Sequence, residues 1–269
     1  METTEQLVDV GGHRLSLLCA GAGWPPVILD VGLGTTSTSS EWAQVRNGVA
    51  AFTRCCAYDR AGLGRSEPGQ GQHTSIQAVE SLHTLLHGAK IAEPFVLVGH
   101  SLGGLHAQLF AARYPHEVAG LVLVDATYED HFGWLACNLV SPAEMDDQRR
   151  FAAGDNPEGI AFDTALTVLR RAAWRLDVPL VVLVRDQVPP EEQPPEWSSE
   201  REARLIKTWR EVQAELASRS SYGRLVVAER SGHNIQRYRP DLIVDAIREV
   251  VVAARVQRDA VTRDEPPAS

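Results

Sequence analysis

Short apolar runs alternate with longer stretches of helical period through the first half of the chain. Two β-patterned runs between Glu5 and Cys19 flank Gly11-Gly12, which predicts a hairpin with a positive-φ turn. Val27 to Val31 is a short apolar run bounded by Pro25-Pro26 and Gly32, and reads as a buried strand. The polar stretch Thr35 to Ser40 then caps a helix reaching about Ala51. Thr53 to Tyr58 is the next strand, and it ends in the turn Asp59-Arg60-Ala61-Gly62-Leu63-Gly64-Arg65-Ser66. Ile76, Val79, Leu82, Leu85 and Leu86 give Thr74 to Lys90 a helical period. Phe95 to Gly99 reads as a strand, Leu102 to Tyr114 as a helix stopped by Pro115, and Val118 to Val124 as another strand. Such alternation is the pattern of βαβ units around a mostly parallel sheet.

From about Thr127 the strand rhythm gives way to helical patterning, interrupted at Gly154 to Gly159. It resumes at Val178 to Val184. A Pro/Glu-rich connection (Val188 to Glu196) and an amphipathic helix (Ser198 to Arg219) follow. The last strand spans Arg224 to Ala228, the loop after it holds Ser231-Gly232-His233, and a helix runs from Pro240 to about Val256. The expected division is a core of residues 1–126 and 177–257, a helical cap insertion over 127–176, and a disordered tail over 258–269. No internal repeat is present.

Length and composition narrow the class. At 269 residues the chain fits one large α/β domain, and 44% hydrophobic with 23% charged residues is ordinary for a globular protein. The net charge of -9 argues against nucleic acid, whose phosphates need a basic face, and against docking on anionic membranes. METTEQLVDV has no apolar leader segment, and runs such as Gly120 to Val124 are too short to span a bilayer, so a cytoplasmic location is expected. Cys19, Cys55, Cys56 and Cys137 show no metal-ligand spacing and read as free thiols rather than disulfide or zinc ligands. No phosphate loop, haem motif or metal-ligand cluster is read in the chain, so neither cofactor nor metal is expected.

The chemistry concentrates in Phe95-Val96-Leu97-Val98-Gly99-His100-Ser101-Leu102-Gly103-Gly104, a G-x-S-x-G turn between a strand and a helix. Ser101 must sit in a strained turn that lifts its hydroxyl off the sheet, where side chains at positions 99 and 103 would collide. The Leu102 N–H, at the helix N-terminus, then points toward a developing oxyanion.

With that elbow, the Asp59 to Ser66 turn and the Ser231-Gly232-His233 loop before a Pro-started helix, the chain resembles the α/β-hydrolase fold superfamily over nearly its whole length. The resemblance implies a serine hydrolase with Ser101 as nucleophile. Dehalogenases and epoxide hydrolases of this fold carry a carboxylate at the elbow and are disfavoured. It also implies His233 as general base, His100 as a structural neighbour and His106 as a packing or pocket residue. The second oxyanion donor of the family comes from a loop often written His-Gly-X. Here that loop is Val31-Gly32-Leu33, so Leu33 supplies the N–H and the histidine's support is missing. Asp30 before it reads as a hydrogen-bonded structural acid or a pocket residue.

The acid is displaced from its common place. The family usually carries it after the strand that follows the cap, where this chain has Val184-Arg185-Asp186-Gln187-Val188. Asp186 falls two residues early, roughly 7 Å in extended chain. A minority arrangement, seen in zearalenone-type lactonases and some dehalogenases, uses the end of the preceding strand, and Asp125 sits there. Asp125 is therefore the favoured acid, Asp186 the alternative, and Asp130 a further candidate.

The expected reaction is cleavage of a small-molecule carboxylic ester or lactone through an acyl-enzyme. An apolar lid would come from Phe132, Trp134, Leu135, Phe162, Leu166, Leu169 and Trp174, about half of them purely structural. Two rival readings use the same residues: a biosynthetic acyltransferase or cyclase, and a ligand receptor with little turnover.

Overall fold

The protein is described from a computed structural model covering residues 3–71, 73–138, 141–172, 174–189 and 198–264. Strands β1 (Thr3–Asp9) and β2 (Arg14–Ala20) form the expected antiparallel hairpin. Gly11 and Gly12 both adopt φ 103° in its turn, a conformation costly for any residue with a Cβ. Then follow β3 (Val27–Asp30), α1 (Ala43–Ala50), β4 (Cys55–Tyr58), the two-residue β5 (His73–Thr74) and α2 (Ser75–Gly88). Thr74 and Gln77 close a reciprocal capping box at the start of α2.

Next come β6 (Phe95–His100), α3 (Leu102–Arg113) and β7 (Val118–Val124). Between β7 and the next sheet strand lie α4 (His131–Asn138), α5 (Pro142–Ala152), β8 (Ile160–Ala161) and α6 (Asp163–Ala172). β9 (Leu180–Arg185), α7 (Ser199–Ala217), β10 (Gly223–Ala228), α8 (Ile235–Tyr238) and α9 (Pro240–Asp264) complete the chain. The connection expected at Val188 to Glu196 lies, from residue 190 on, outside the described residues. The last helix reaches Asp264, beyond the end expected near Val256.

Eight strands form one sheet in the order β1-β2-β4-β3-β6-β7-β9-β10, parallel from β4 onward. Strands β3, β4, β6 and β7 are buried along their whole lengths, which explains why they read as continuous apolar runs. One face packs on α2, α3, α6 and α7 through residues such as Leu82, Leu105, Leu169 and Trp209. The other packs on α1 and α9 through Val45, Val49, Ile247 and Val250. β5 and β8 pair in parallel, tying the helical segment after β7 back to the loop before α2.

The cysteines require a correction. Cys19 and Cys56 stand opposite each other in the β2–β4 register and form a disulfide, whereas Cys55 (buried) and Cys137 (exposed) are free. Cys55 and Cys56 do point to opposite faces of the sheet, as strand alternation requires. What sequence could not show is the antiparallel register that opposes Cys56 to Cys19. Among the described residues, no helix is long and apolar enough to cross a membrane.

Candidate active site

Ser101 lies between β6 and α3 with φ 53° and ψ -117°, the strained conformation that a nucleophile elbow needs. Its backbone is locked on both sides: its N–H donates to Val124 O at 3.2 Å, and its carbonyl accepts from Thr127 N at 3.1 Å. The glycines leave room for this turn. A Cβ on Gly99 would come within 2.3 Å of Gly103 O, and one on Gly103 within 2.1 Å of Asp30 O. Leu102 opens α3, so its N–H is one of the first-turn donors without a helical partner.

His233 lies in the loop after β10, and its Nδ1–H donates to Asp125 Oδ2 at 2.6 Å. Asp125 follows β7 at φ 43° and is fully buried. Its Oδ1 accepts Trp209 Nε1–H at 2.7 Å and the Arg185 backbone N–H at 3.2 Å. Burial by itself would raise the Asp125 pKa. The Arg185 guanidinium, 3.6 Å from Oδ2, together with the His233 and Trp209 donors, outweighs burial and holds it at about 2. The carboxylate is therefore charged at neutral pH and opposes the imidazole.

Asp186 is engaged elsewhere. Its carboxylate accepts Arg230 N–H at 2.9 Å and Ser231 N–H at 3.1 Å, so it pins the chain leading into the His233 loop. Asp130 pairs with Arg170 at the surface. His100 is buried, and burial followed by the neighbouring His233 pushes its pKa down to about 3. It is thus neutral, and its Nε2–H donates to the His233 carbonyl at 3.0 Å.

Leu33, Leu102, Ser101, Asp125 and His233 all line one cavity of about 380 Å³. Of the apolar residues expected in a lid, Trp134 and Phe162 line it. Leu135, Leu166, Leu169 and Trp174 are buried in the adjoining core, with Phe132 packed against it. The cavity is also lined by residues that sequence reading passed over: His131, Gln148, Phe151, Arg185 and Trp209. His131 is held neutral at pH 7, its pKa pushed down to about 4 by burial and by Arg185.

A buried polar cluster supports the loop carrying Leu33. Arg60 donates to Val31 O at 2.7 Å and to Gly32 O at 2.8 Å, while pairing with Asp30 at 2.7 Å and Glu158 at 2.6 Å. Glu158 also accepts the Gly34 N–H at 2.5 Å. Asp30 takes a Tyr58 hydroxyl at 2.6 Å and His106 Nδ1 at 3.0 Å, which makes both Asp30 and His106 structural. Arg60 and Glu158 thus hold the Val31-Gly32-Leu33 loop in place.

Residues 25–161 match the family of the alpha/beta hydrolase fold, and the chain belongs to it. It is 28% identical over 240 residues to YqjL, an uncharacterised protein of Bacillus subtilis (strain 168), covering 87% of this chain and 86% of that one. A thermophilic esterase from Thermogutta terrifontis superposes with TM-score 0.65 at 21% identity, covering 94% of this chain and 99% of its own. A haloalkane dehalogenase loop variant from Bradyrhizobium elkanii gives TM-score 0.66 at 18% identity, covering 96% and 99%. At such identities these structures share the fold, and their chemistries differ from one another.

Proposed function

We propose that the protein is a serine hydrolase that cleaves carboxylic esters or lactones, with Ser101 as nucleophile, His233 as base and Asp125 as the orienting acid. The observation that carries this reading is the 2.6 Å hydrogen bond from His233 to the charged, buried Asp125, beside the cavity that also holds the Ser101 elbow. A proton committed at Nδ1 leaves Nε2 as the basic nitrogen.

In the first half-reaction Ser101 Oγ attacks the substrate carbonyl carbon and His233 Nε2 takes the hydroxyl proton. The Leu33 and Leu102 N–H groups stabilise the oxyanion. Collapse expels the alcohol, which receives that proton, and leaves an ester on Ser101. Water, deprotonated by His233, then attacks the acyl carbon and frees the acid and the Ser101 hydroxyl. A serine at the elbow supports acyl transfer over the displacement chemistry of carboxylate-bearing relatives.

The segment of α4 to α6 acts as the lid, with Trp134, Phe151 and Phe162 as its apolar lining. A cavity of about 380 Å³ suits a small or medium-sized ester. Turnover of a short p-nitrophenyl ester by the native chain and by Ser101→Ala tests the reading. Loss of turnover in the alanine variant is expected, and retained turnover would overturn it.

A further inference from the structure

His83 and His87 lie one turn apart on α2, so their side chains leave the same helical face. Both imidazoles converge on one carboxylate from the short turn after α3. His83 Nε2 is 2.9 Å from Glu117 Oε1, and His87 Nε2 is 3.1 Å from Glu117 Oε2. The three side chains each offer a ligand atom within 4.8 Å of the other two. Glu93, just before β6, lies outside this group of three, with Oε2 3.6 Å from His87 Nε2.

We infer that His83, His87 and Glu117 form a zinc(II) site that clamps α2 to the turn preceding β7. Two ligands of one tetrahedral zinc ion lie roughly 3.3 Å apart, given bonds of about 2.0 to 2.1 Å. The two imidazole–carboxylate separations of 2.9 and 3.1 Å therefore need only small adjustment. The donor set selects the metal. Two imidazoles with a carboxylate suit zinc, whereas calcium and magnesium take oxygen donors almost alone.

Packing and mobility are divided among the ligands in a way that fits a clamp. The His83 ring stacks on Tyr114 with centroids 4.0 Å apart and planes at 12°, which fixes its direction. His87 is about half exposed, with a side-chain exposure of 45%, so it can swing onto an ion. Glu93 and Glu117 precede β6 and β7, whereas Ser101 and Asp125 follow those strands. The clamp is thus at the opposite end of the sheet from the catalytic cavity and has a structural role. The His83-x-x-x-His87 spacing was the available sequence signal, but Glu117, thirty residues from His87, becomes adjacent only on folding.

The full chain, stripped with EDTA and dialysed, is titrated with zinc chloride by calorimetry and with cobalt chloride by visible absorption. One equivalent of zinc is expected, with cobalt bands of low coordination number and a raised thermal midpoint. Changes around a zinc ligand alone cost about ten to a hundredfold in affinity, so His87→Ala and Glu117→Gln should each cost at least that. Far-UV circular dichroism checks that both variants fold. Should His87→Ala fail, Glu117→Gln, which keeps side-chain size and both imidazoles, decides. No saturable binding by the native chain, or unchanged affinity in a folded variant, would overturn the site.

Discussion

Asp125 Oδ2 accepts the His233 Nδ1–H at 2.6 Å across 108 residues of chain. The acid comes from the end of β7 and the histidine from the loop after β10, with β9 between their strands. Arg185, on the last residue of β9, donates its backbone N–H to the same carboxylate. The end of β9, where the family resemblance would place the acid, here supplies the Arg185 cation beside Asp125.

Exchange of the two candidate carboxylates should have unequal effects. Asp125→Asn is expected to lower kcat by about 10⁴, since the amide favours the wrong imidazole tautomer. Asp186→Asn removes part of a loop anchor worth about 1 kcal/mol per hydrogen bond, so its loss should stay within roughly tenfold. Steady-state kinetics on one ester substrate checks both, and a reversed order would move the acid to Asp186.

The depressed Asp125 pKa links this group to stability. It titrates at about 2 when folded against an ordinary 3.8, so its charge favours the folded state above pH 3.8. That contribution is lost as the pH falls from 3.8 toward 2. The stability gap between the native chain and Asp125→Asn, measured by urea unfolding, should be constant near neutrality and shrink through this window. A gap that stays constant down to pH 2 would contradict the assignment of charge.

Glu158 joins the helical segment to the loop carrying Leu33 through Arg60 and the Gly34 N–H. Glu158→Ala leaves a buried guanidinium partly unpaired, and the expected cost is about 3 kcal/mol, the low end for a broken buried pair because Asp30 remains. Turnover should fall as well, because the loop holding Leu33 loses an anchor. Denaturant unfolding and kinetics on one preparation test the two effects together.

The disulfide predicts a thiol count. Unreduced protein in denaturant should react with two equivalents of thiol reagent, from Cys55 and Cys137. Closing a loop between residues 37 apart stabilises by roughly 3 to 4 kcal/mol in the chain-entropy picture. Cys19→Ser should lower stability by that amount, read from the urea midpoint. Four reactive thiols without reductant would refute the bridge.

Legibility in the sequence followed the distance over which each feature is encoded. The elbow is local: four apolar strand residues, one strained serine and three glycines lie within ten positions, so motif and period suffice. The capping box at Thr74 and Gln77 is local in the same way. The buried clusters are not. Arg60 meets Glu158 across 98 residues, and Trp209 meets Asp125 across 84. No period or spacing announces either contact. Cys19 and Cys56 are distant in the same way, since only the β2–β4 register brings them together. The preference for Asp125 over Asp186 comes from the resemblance to the family's two acid positions, with Asp186 out of step, and no local pattern supplies it.

Everything proposed for the reaction turns on Ser101 being a nucleophile activated by the His233–Asp125 pair. A fluorophosphonate probe reacts with an activated serine to give a stable adduct, and peptide mass spectrometry locates it. One adduct per chain is expected, on Ser101, formed at a rate greatly reduced in Asp125→Asn. An adduct on another residue, or none on Ser101 in folded protein, would contradict it.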